Sequence, residues 1–377
     1  MRTDLLTGST IAHVALDDRH VRVVWTDESV SMFHHVWLRD NSPQRRHPET
    51  GHRVEETSAI SPDVRPVDVM IDGEGRLQID WGPDDHISLF EPDWLRRYDY
   101  SNNVRLEPPA VTLWDASVGA ELPQAAYSTV LADADARRGF LQGFCAYGLA
   151  ILTDVPVEPG TVLDVAKLFG EVRSTSWGTV FDVVSKPNAN SVAYTNLPLV
   201  VHTDEAYRDP VPTVQLQHFL ESEASGGAST LTDGFKVASD MRATRPDLFE
   251  LLATVPIHFY FRDATSEHEH RSSVLDVDPS GRLRSVRYSN HSAQPFLIDP
   301  ALMDDYYEAY RLFGQMRESD RYRLQIEMGP GELYMVDNRR VMHGRTGFTA
   351  DGPRHLQSCY IERDELVSRL RVLERGR

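Results

Sequence analysis

The residues best suited to chemistry are His202, Asp204 and His343. Side chains two apart in an extended segment point the same way, so His202-Thr203-Asp204 offers an imidazole and a carboxylate on one face. A distant His343, within Asp337-Asn338-Arg339-Arg340-Val341-Met342-His343-Gly344, completes a two-histidine, one-carboxylate set. Such a set grips a divalent metal and leaves coordination positions open. That suits non-haem Fe(II), which must also bind a co-substrate and O2. Arg354, soon after His343, adds a cation able to hold a carboxylate by a planar two-pronged contact. Any one of these residues alone reads equally well as a packed or solvated side chain. Their order and spacing make the set.

Further stretches follow in a fixed order: Val36-Trp37-Leu38-Arg39-Asp40-Asn41, Ser191-Val192-Ala193-Tyr194-Thr195, Gly226-Gly227, Asp233-Gly234-Phe235, His343-Gly344-Arg345, Arg354-His355-Leu356-Gln357-Ser358-Cys359-Tyr360 and Ser368-Arg369-Leu370-Arg371-Val372-Leu373. Together with the triad they resemble the Fe(II)- and 2-oxoglutarate-dependent dioxygenases, and within these the γ-butyrobetaine dioxygenase and trimethyllysine dioxygenase family. The likeness runs from about Trp37 to Leu373.

The resemblance implies a mainly β protein with flanking helices: a double-stranded β-helix, or jelly roll, behind a small β-rich N-terminal domain. It implies Fe(II) on His202, Asp204 and His343, 2-oxoglutarate as co-substrate on Arg354, Ser229 and Asn338, and O2, with ascorbate as the reductant in assays. The reaction would be hydroxylation of an unactivated C–H bond, coupled to decarboxylation of 2-oxoglutarate to succinate. A trimethylammonium head would sit among aromatic faces, since it cannot donate hydrogen bonds; the matching positions are Trp177, Phe181, Tyr194 and Tyr360. The substrate's anion would fall to positions near Asn190-Ser191 and Ser289-Asn290, with Arg287 and His291 flanking the second pair. Family members use asparagines there, and one of each pair is serine here. The expected substrate is therefore γ-butyrobetaine-like or a phosphonate analogue such as 2-trimethylaminoethylphosphonate. The same iron site would also serve desaturation, cyclisation or epimerisation, and a catalytically silent quaternary-amine binding protein is the alternative outside catalysis. The resemblance further implies a homodimer and, in many members, a structural zinc on three cysteines and a histidine. Ser42, Gln44, His47 and His86 hold those places here. A closed zinc site favours thiolates, so no zinc is expected.

Composition narrows the class. The chain has 377 residues, 41% apolar and 25% charged, enough for two domains with ordinary cores. A formal charge of −18 argues against nucleic acid, which needs a basic footprint. Two cysteines, Cys145 and Cys359, make no disulfide framework and fit a cytoplasmic setting. The first residues lack the apolar core of a signal peptide, and no apolar run is long enough to span a membrane.

The elements that must position the site follow from pattern. Residues 1–100 read as short strands between turns, such as Val21–Trp25 and Leu77–Trp81, with a hairpin turn at Asp72-Gly73-Glu74-Gly75. Residues 101–125 read as a linker and 126–377 as the catalytic domain. There Ala136, Phe140, Leu141, Phe144 and Cys145 fall at helical spacing and Gly148 stops the helix. A second helix covers Val162 to Phe169 and a third Ala301 to Met316. Strands are expected at 149–153, 214–220, 257–261, 283–288, 323–328, 331–336 and 355–361. Many strands with few helices favour a jelly roll over βαβ units. His34-His35 and His268-Glu269-His270 are assigned to structure or solvent.

Overall fold

Strand β2 (His20–Trp25) buries Val21, Val23 and Trp25 and turns Arg22 outward, the period-two pattern of a half-buried sheet. It lies between β1 (Ile11–Leu16) and β3 (Val30–His34), and helix α1 (His35–Asp40) follows. A second antiparallel sheet runs β4 (Asp68–Ile71), β5 (Leu77–Asp80), β6 (Ile87–Phe90), with the expected turn joining its first two strands. Helix α2 (Pro92–Arg97) comes next. Phe33, Leu38, Leu77, Ile79, Phe90 and Leu95 join the β2 residues in one core. The computed structural model describes residues 8–82, 86–102, 111–184, 195–349 and 351–376, and the chain divides into compact units at residues 109 and 110. In the first unit His86 Nε2 lies 2.7 Å from the Ser42 hydroxyl, and Ser88 donates to Ser42 at 2.8 Å. His47 is exposed.

The second unit begins earlier than expected. Within 101–125, residues 111–125 are not a free linker: Trp114, Val118 and Leu122, four residues apart, are buried in the catalytic core, and the Trp114 indole donates to the Tyr147 carbonyl. After β7 (Gln124–Ala126) come helices α3 (Tyr127–Ala132) and α4 (Ala134–Tyr147), then β8 (Leu149–Thr153), α5 (Thr161–Phe169), β9 (Val172–Arg173) and β10 (Phe181–Val183). Gly148 caps α4 with φ 70°, as its position predicts.

Strands β11 (Leu199–His202), β12 (Val214–Ser222) and β13 (Ser229–Asp233) lead into helices α6 (Gly234–Thr244) and α7 (Pro246–Thr254). The pattern reading missed both helices, although Asp233 is a side-chain N-cap and Pro246 opens the second. Two small hairpins follow, β14 (Ile257–Arg262) with β15 (Glu267–Ser272) and β16 (Leu275–Val277) with β17 (Leu283–Val286). The chain ends through α8 (Met303–Glu318), β18 (Leu324–Ile326), β19 (Leu333–Asp337), β20 (Val341–Arg345), β21 (Arg354–Ile361) and α9 (Arg363–Arg375).

The larger sheet has the order β10-β21-β12-β19-β8-β7, with β9 also on β21; the smaller has the order β11-β20-β13-β18. Leu149, Phe219, Tyr334, Val336 and Leu356 of the larger sheet pack on Leu231, Leu324 and Val341 of the smaller, forming the core of the jelly roll. Alternate residues of the larger sheet, such as Val214, Leu216, Leu333 and Met335, face outward onto Phe140, Phe144, Val165, Phe169 and Leu366 of the covering helices. Val201 and Met342 face outward from the smaller sheet onto the α6–α8 layer. Period two therefore turns His202 and His343 inward. Cys145 and Cys359 are both free and buried. Among the described residues no helix is long and apolar enough to cross a membrane.

Candidate active site

Strands β11 and β20 pair antiparallel with His202 opposite His343. Gly344 makes this close pairing possible: a Cβ there would meet the Leu199 carbonyl at 2.3 Å. Asp204 lies two residues past the end of β11, and its Oδ1 lies 3.3 Å from His202 Nε2 while its Oδ2 lies 3.5 Å from His343 Nε2. One ligand atom from each of the three falls within 4.8 Å of the others, the spacing of a group that could hold a metal ion. The protonation states fit. His202 Nδ1 meets the Val200 carbonyl at 3.0 Å, so it carries a hydrogen, and Nε2 is the nitrogen that faces Asp204. Burial pushes the His343 imidazole down to about 4, leaving it neutral at pH 7. Burial alone would raise Asp204, but His343, His202 and the Tyr360 hydroxyl outweigh it and hold the carboxyl below the usual carboxylate range.

The supports of Asp204 were only partly foreseen. The Tyr360 hydroxyl and Gln215 Nε2 each donate to Oδ2 at 2.7 Å, leaving Oδ1 for a metal. Gln215 in turn accepts from Gln217 Nε2, and Gln217 accepts from the Tyr334 hydroxyl at 2.6 Å. The signal was present in β12, where Gln215 and Gln217 on the inner face alternate with Val214 and Leu216 on the outer face of a buried strand. Asn338 does not reach the co-substrate end as expected. Its amide clamps the backbone, accepting from Asp204 N at 2.7 Å and donating to the Asp204 and Pro212 carbonyls.

One cavity of about 360 Å³ runs past the triad, within the range of small-molecule sites. At one end stand Ser229, Tyr334, Arg345 and Arg354. Arg354 donates to the Gly227 carbonyl at 3.2 Å, while its buried Nε has no hydrogen-bond partner among the described residues. Gly227, at φ 76°, leaves no room for a Cβ, which would meet that Nε at 2.9 Å. Burial, with Arg354 beside it, pushes Arg345 down to about 10. Two buried guanidinium groups that repel one another make a place for a dicarboxylate.

The other end is aromatic. Trp177, Phe181 and Tyr360 line it as expected, joined by Tyr207, Tyr260 and Phe261. Ring centroids are 5.6 Å apart for Trp177 and Phe261, 4.8 Å for Tyr207 and Phe261, and 5.6 Å for Phe181 and Tyr360. Glu205, His291 and Ser292 share this cavity. Tyr194, Asn190 and Ser191 lie outside the described residues. Arg287, Ser289 and Asn290, expected at the substrate's anion, are not among the residues lining this cavity. Arg287 donates to the Ala206 and Arg208 carbonyls, Ser289 is buried against His291 at 3.1 Å, and Asn290 is exposed. The loop path turns the next two residues, His291 and Ser292, into the cavity instead.

The description "Taurine catabolism dioxygenase TauD, TfdA family" matches residues 107–360, and "Gamma-butyrobetaine hydroxylase-like, N-terminal" matches 12–96. The chain belongs to the TauD/TfdA family of dioxygenases. It is an Fe(II)- and 2-oxoglutarate-dependent dioxygenase. Among relatives, the gamma-butyrobetaine dioxygenase of Pseudomonas sp. strain AK-1 is 37% identical over 97% of each chain. The mitochondrial trimethyllysine dioxygenase of Rattus norvegicus is 30% identical, covering 92% of this chain and 83% of its own. The Homo sapiens gamma-butyrobetaine dioxygenase is 28% identical over 95% of this chain and 96% of its own. For a dioxygenase of this family, the triad and the buried arginines fit Fe(II) and 2-oxoglutarate by protonation state, charge and spacing.

Proposed function

We propose that this dioxygenase hydroxylates an unactivated C–H bond of a small acid bearing a trimethylammonium group. His202, Asp204 and His343 hold Fe(II), and Arg354, with Ser229, grips the far carboxylate of 2-oxoglutarate. The observation that carries the reading is the aromatic wall of Trp177, Phe181, Tyr207, Phe261 and Tyr360 in the same cavity as the triad. Ring faces are the natural partners of a cation that has no N–H to donate. The two relatives named for γ-butyrobetaine and the one named for trimethyllysine support a trimethylammonium substrate.

When bound, iron and 2-oxoglutarate supply the oxidising power for the hydroxylation, with succinate and CO2 as by-products. The chain's own part is placement. The rings orient the cationic head, and His291 and Ser292 face the anionic end, a carboxylate or a phosphonate. Tyr360 and Gln215 fix the Asp204 carboxylate while Asn338 fixes its backbone. The apolar walls keep bulk water from the reacting carbon.

The test is succinate formation with Fe(II), ascorbate and 2-oxoglutarate against γ-butyrobetaine, trimethyllysine and 2-trimethylaminoethylphosphonate. Products are weighed by mass spectrometry. A gain of one oxygen on one of these supports the reading. A loss of two hydrogens instead would replace hydroxylation by desaturation, and succinate without any change to these compounds would sink the substrate class.

A further inference from the structure

Glu205 lines the cavity and has no part in the proposed reaction. It follows Asp204 and is only 6% exposed, yet it lines the aromatic end of the cavity. Arg208 Nε approaches its Oε2 to 2.7 Å, but off the direction of a hydrogen bond, and Oε1 has no hydrogen-bond partner among the described residues. Leaving a buried carboxylate oxygen unpartnered is costly. The backbone adds a second cost. Glu205 sits at φ 50°, in the left-handed region that glycine and asparagine tolerate and glutamate does not favour. A turn needing only that geometry would be better served by either of those residues. A side chain kept at a strained position in the cavity wall, with an oxygen outside any hydrogen bond, points to a ligand contact.

The neighbours say which ligand. The Trp177 side chain approaches Glu205 as a donor outside hydrogen-bond geometry, and Tyr207 and Tyr360 lie close enough to interact with it electrostatically. Aromatic faces beside a carboxylate make a mixed cage. Rings alone serve a quaternary ammonium well. A glutamate that a bound cation draws into its ionised form adds a counter-charge and, through its open oxygen, an acceptor for an N–H. A trimethylammonium group cannot use that acceptor, whereas a protonated dimethylamine can.

We propose that Glu205 is a specificity-determining residue, and that its unpartnered oxygen accepts an N–H from a protonated tertiary amine, so that the site takes a dimethylammonium acid at least as well as its trimethyl counterpart. This rests on the cationic substrate proposed above and narrows it. The test is calorimetric titration, without oxygen, of Fe(II)- and 2-oxoglutarate-loaded protein with 4-(dimethylamino)butyrate and with γ-butyrobetaine. Wild type should bind the dimethyl compound as tightly as the trimethyl or more so. Glu205→Gln should weaken the dimethyl compound about tenfold more than the trimethyl, the difference between charged and neutral hydrogen-bond acceptors. The visible band of the iron–2-oxoglutarate pair reports whether the variant still loads both. Wild-type preference for the trimethyl compound by more than tenfold, or an equal loss of both in the variant, overturns the role of Glu205 and leaves the trimethylammonium reading standing. Binding of neither compound to wild type overturns both.

Discussion

Asp204 illustrates how much of a metal site is built by residues that never touch metal. Gln215 and Tyr360 both donate to one carboxylate oxygen, and Asn338 holds the peptide on either side. Replacing Gln215 with leucine should lower iron affinity about 10- to 100-fold, the usual cost of losing such a support. Iron titration in air followed through succinate formation reads the loss, and activity at saturating iron should recover most of its value. A normal titration curve would mean that Tyr360 alone positions the carboxylate. At this scale the sequence was legible where chemistry fixes residue type, as at His202, Asp204 and His343, which the fold brings together, with Arg354 lining the same cavity. It was illegible where only the path of a loop decides which side chain meets the cavity. Arg287, Ser289 and Asn290 were plausible by type and close in number, but His291 and Ser292 are the residues that arrive. Asn338 had the right position and the wrong partner.

Among the elements, the join between β13 and α6 depends on a buried ion pair. Arg340 Nε and an NH2 nitrogen meet the two oxygens of Asp233 at 3.0 and 2.8 Å, and the same carboxylate caps α6 through Phe235 N. Arg340 also donates to the Ala146 and Thr112 carbonyls. Asp233→Asn should destabilise the fold by about 3–5 kcal/mol, because it leaves a buried guanidinium uncompensated; a urea melt measures this. Losing both charges in Asp233→Asn/Arg340→Met should cost less than the sum of the single changes. Asp233-Gly234-Phe235 was legible as a motif, while helix α6 that it opens was missed. The cap is visible in a sequence only once its strand is placed.

Strand β12 also carries His218, fully buried and with neither ring nitrogen partnered among the described residues. Burial pushes its pKa down to about 4. The folded state therefore keeps it neutral while the unfolded chain protonates it near 6.5. Its share of stability is whole above pH 6.5 and is lost as pH falls toward 4, up to about 3 kcal/mol. His218→Phe should flatten that part of the stability profile in denaturant melts between pH 7 and 4. An unchanged slope would mean that His218 does not govern it.

For the whole chain, the order of motifs from Trp37 to Leu373 gave the family where local pattern gave only "many strands". The jelly roll is made of pairings between distant segments, such as β12 with β21, and local periodicity cannot report those. Residues 111–125 read as a linker because flanking prolines at 108, 109 and 123 drew attention from the four-residue spacing of Trp114, Val118 and Leu122. The smaller sheet has a further consequence. Strand β11 is its outermost member, and its pairing with β20 is irregular between Leu199 and His202. Metal bridging His202 to His343 would fasten the rim of the sheet as well as arm the reaction. Removing the metal with a chelator should speed amide hydrogen exchange over residues 199–204 and leave β13 as slow as before. An enzyme starved of iron would then present an unlatched strand edge, the place where a protease or the strand of another chain would first take hold.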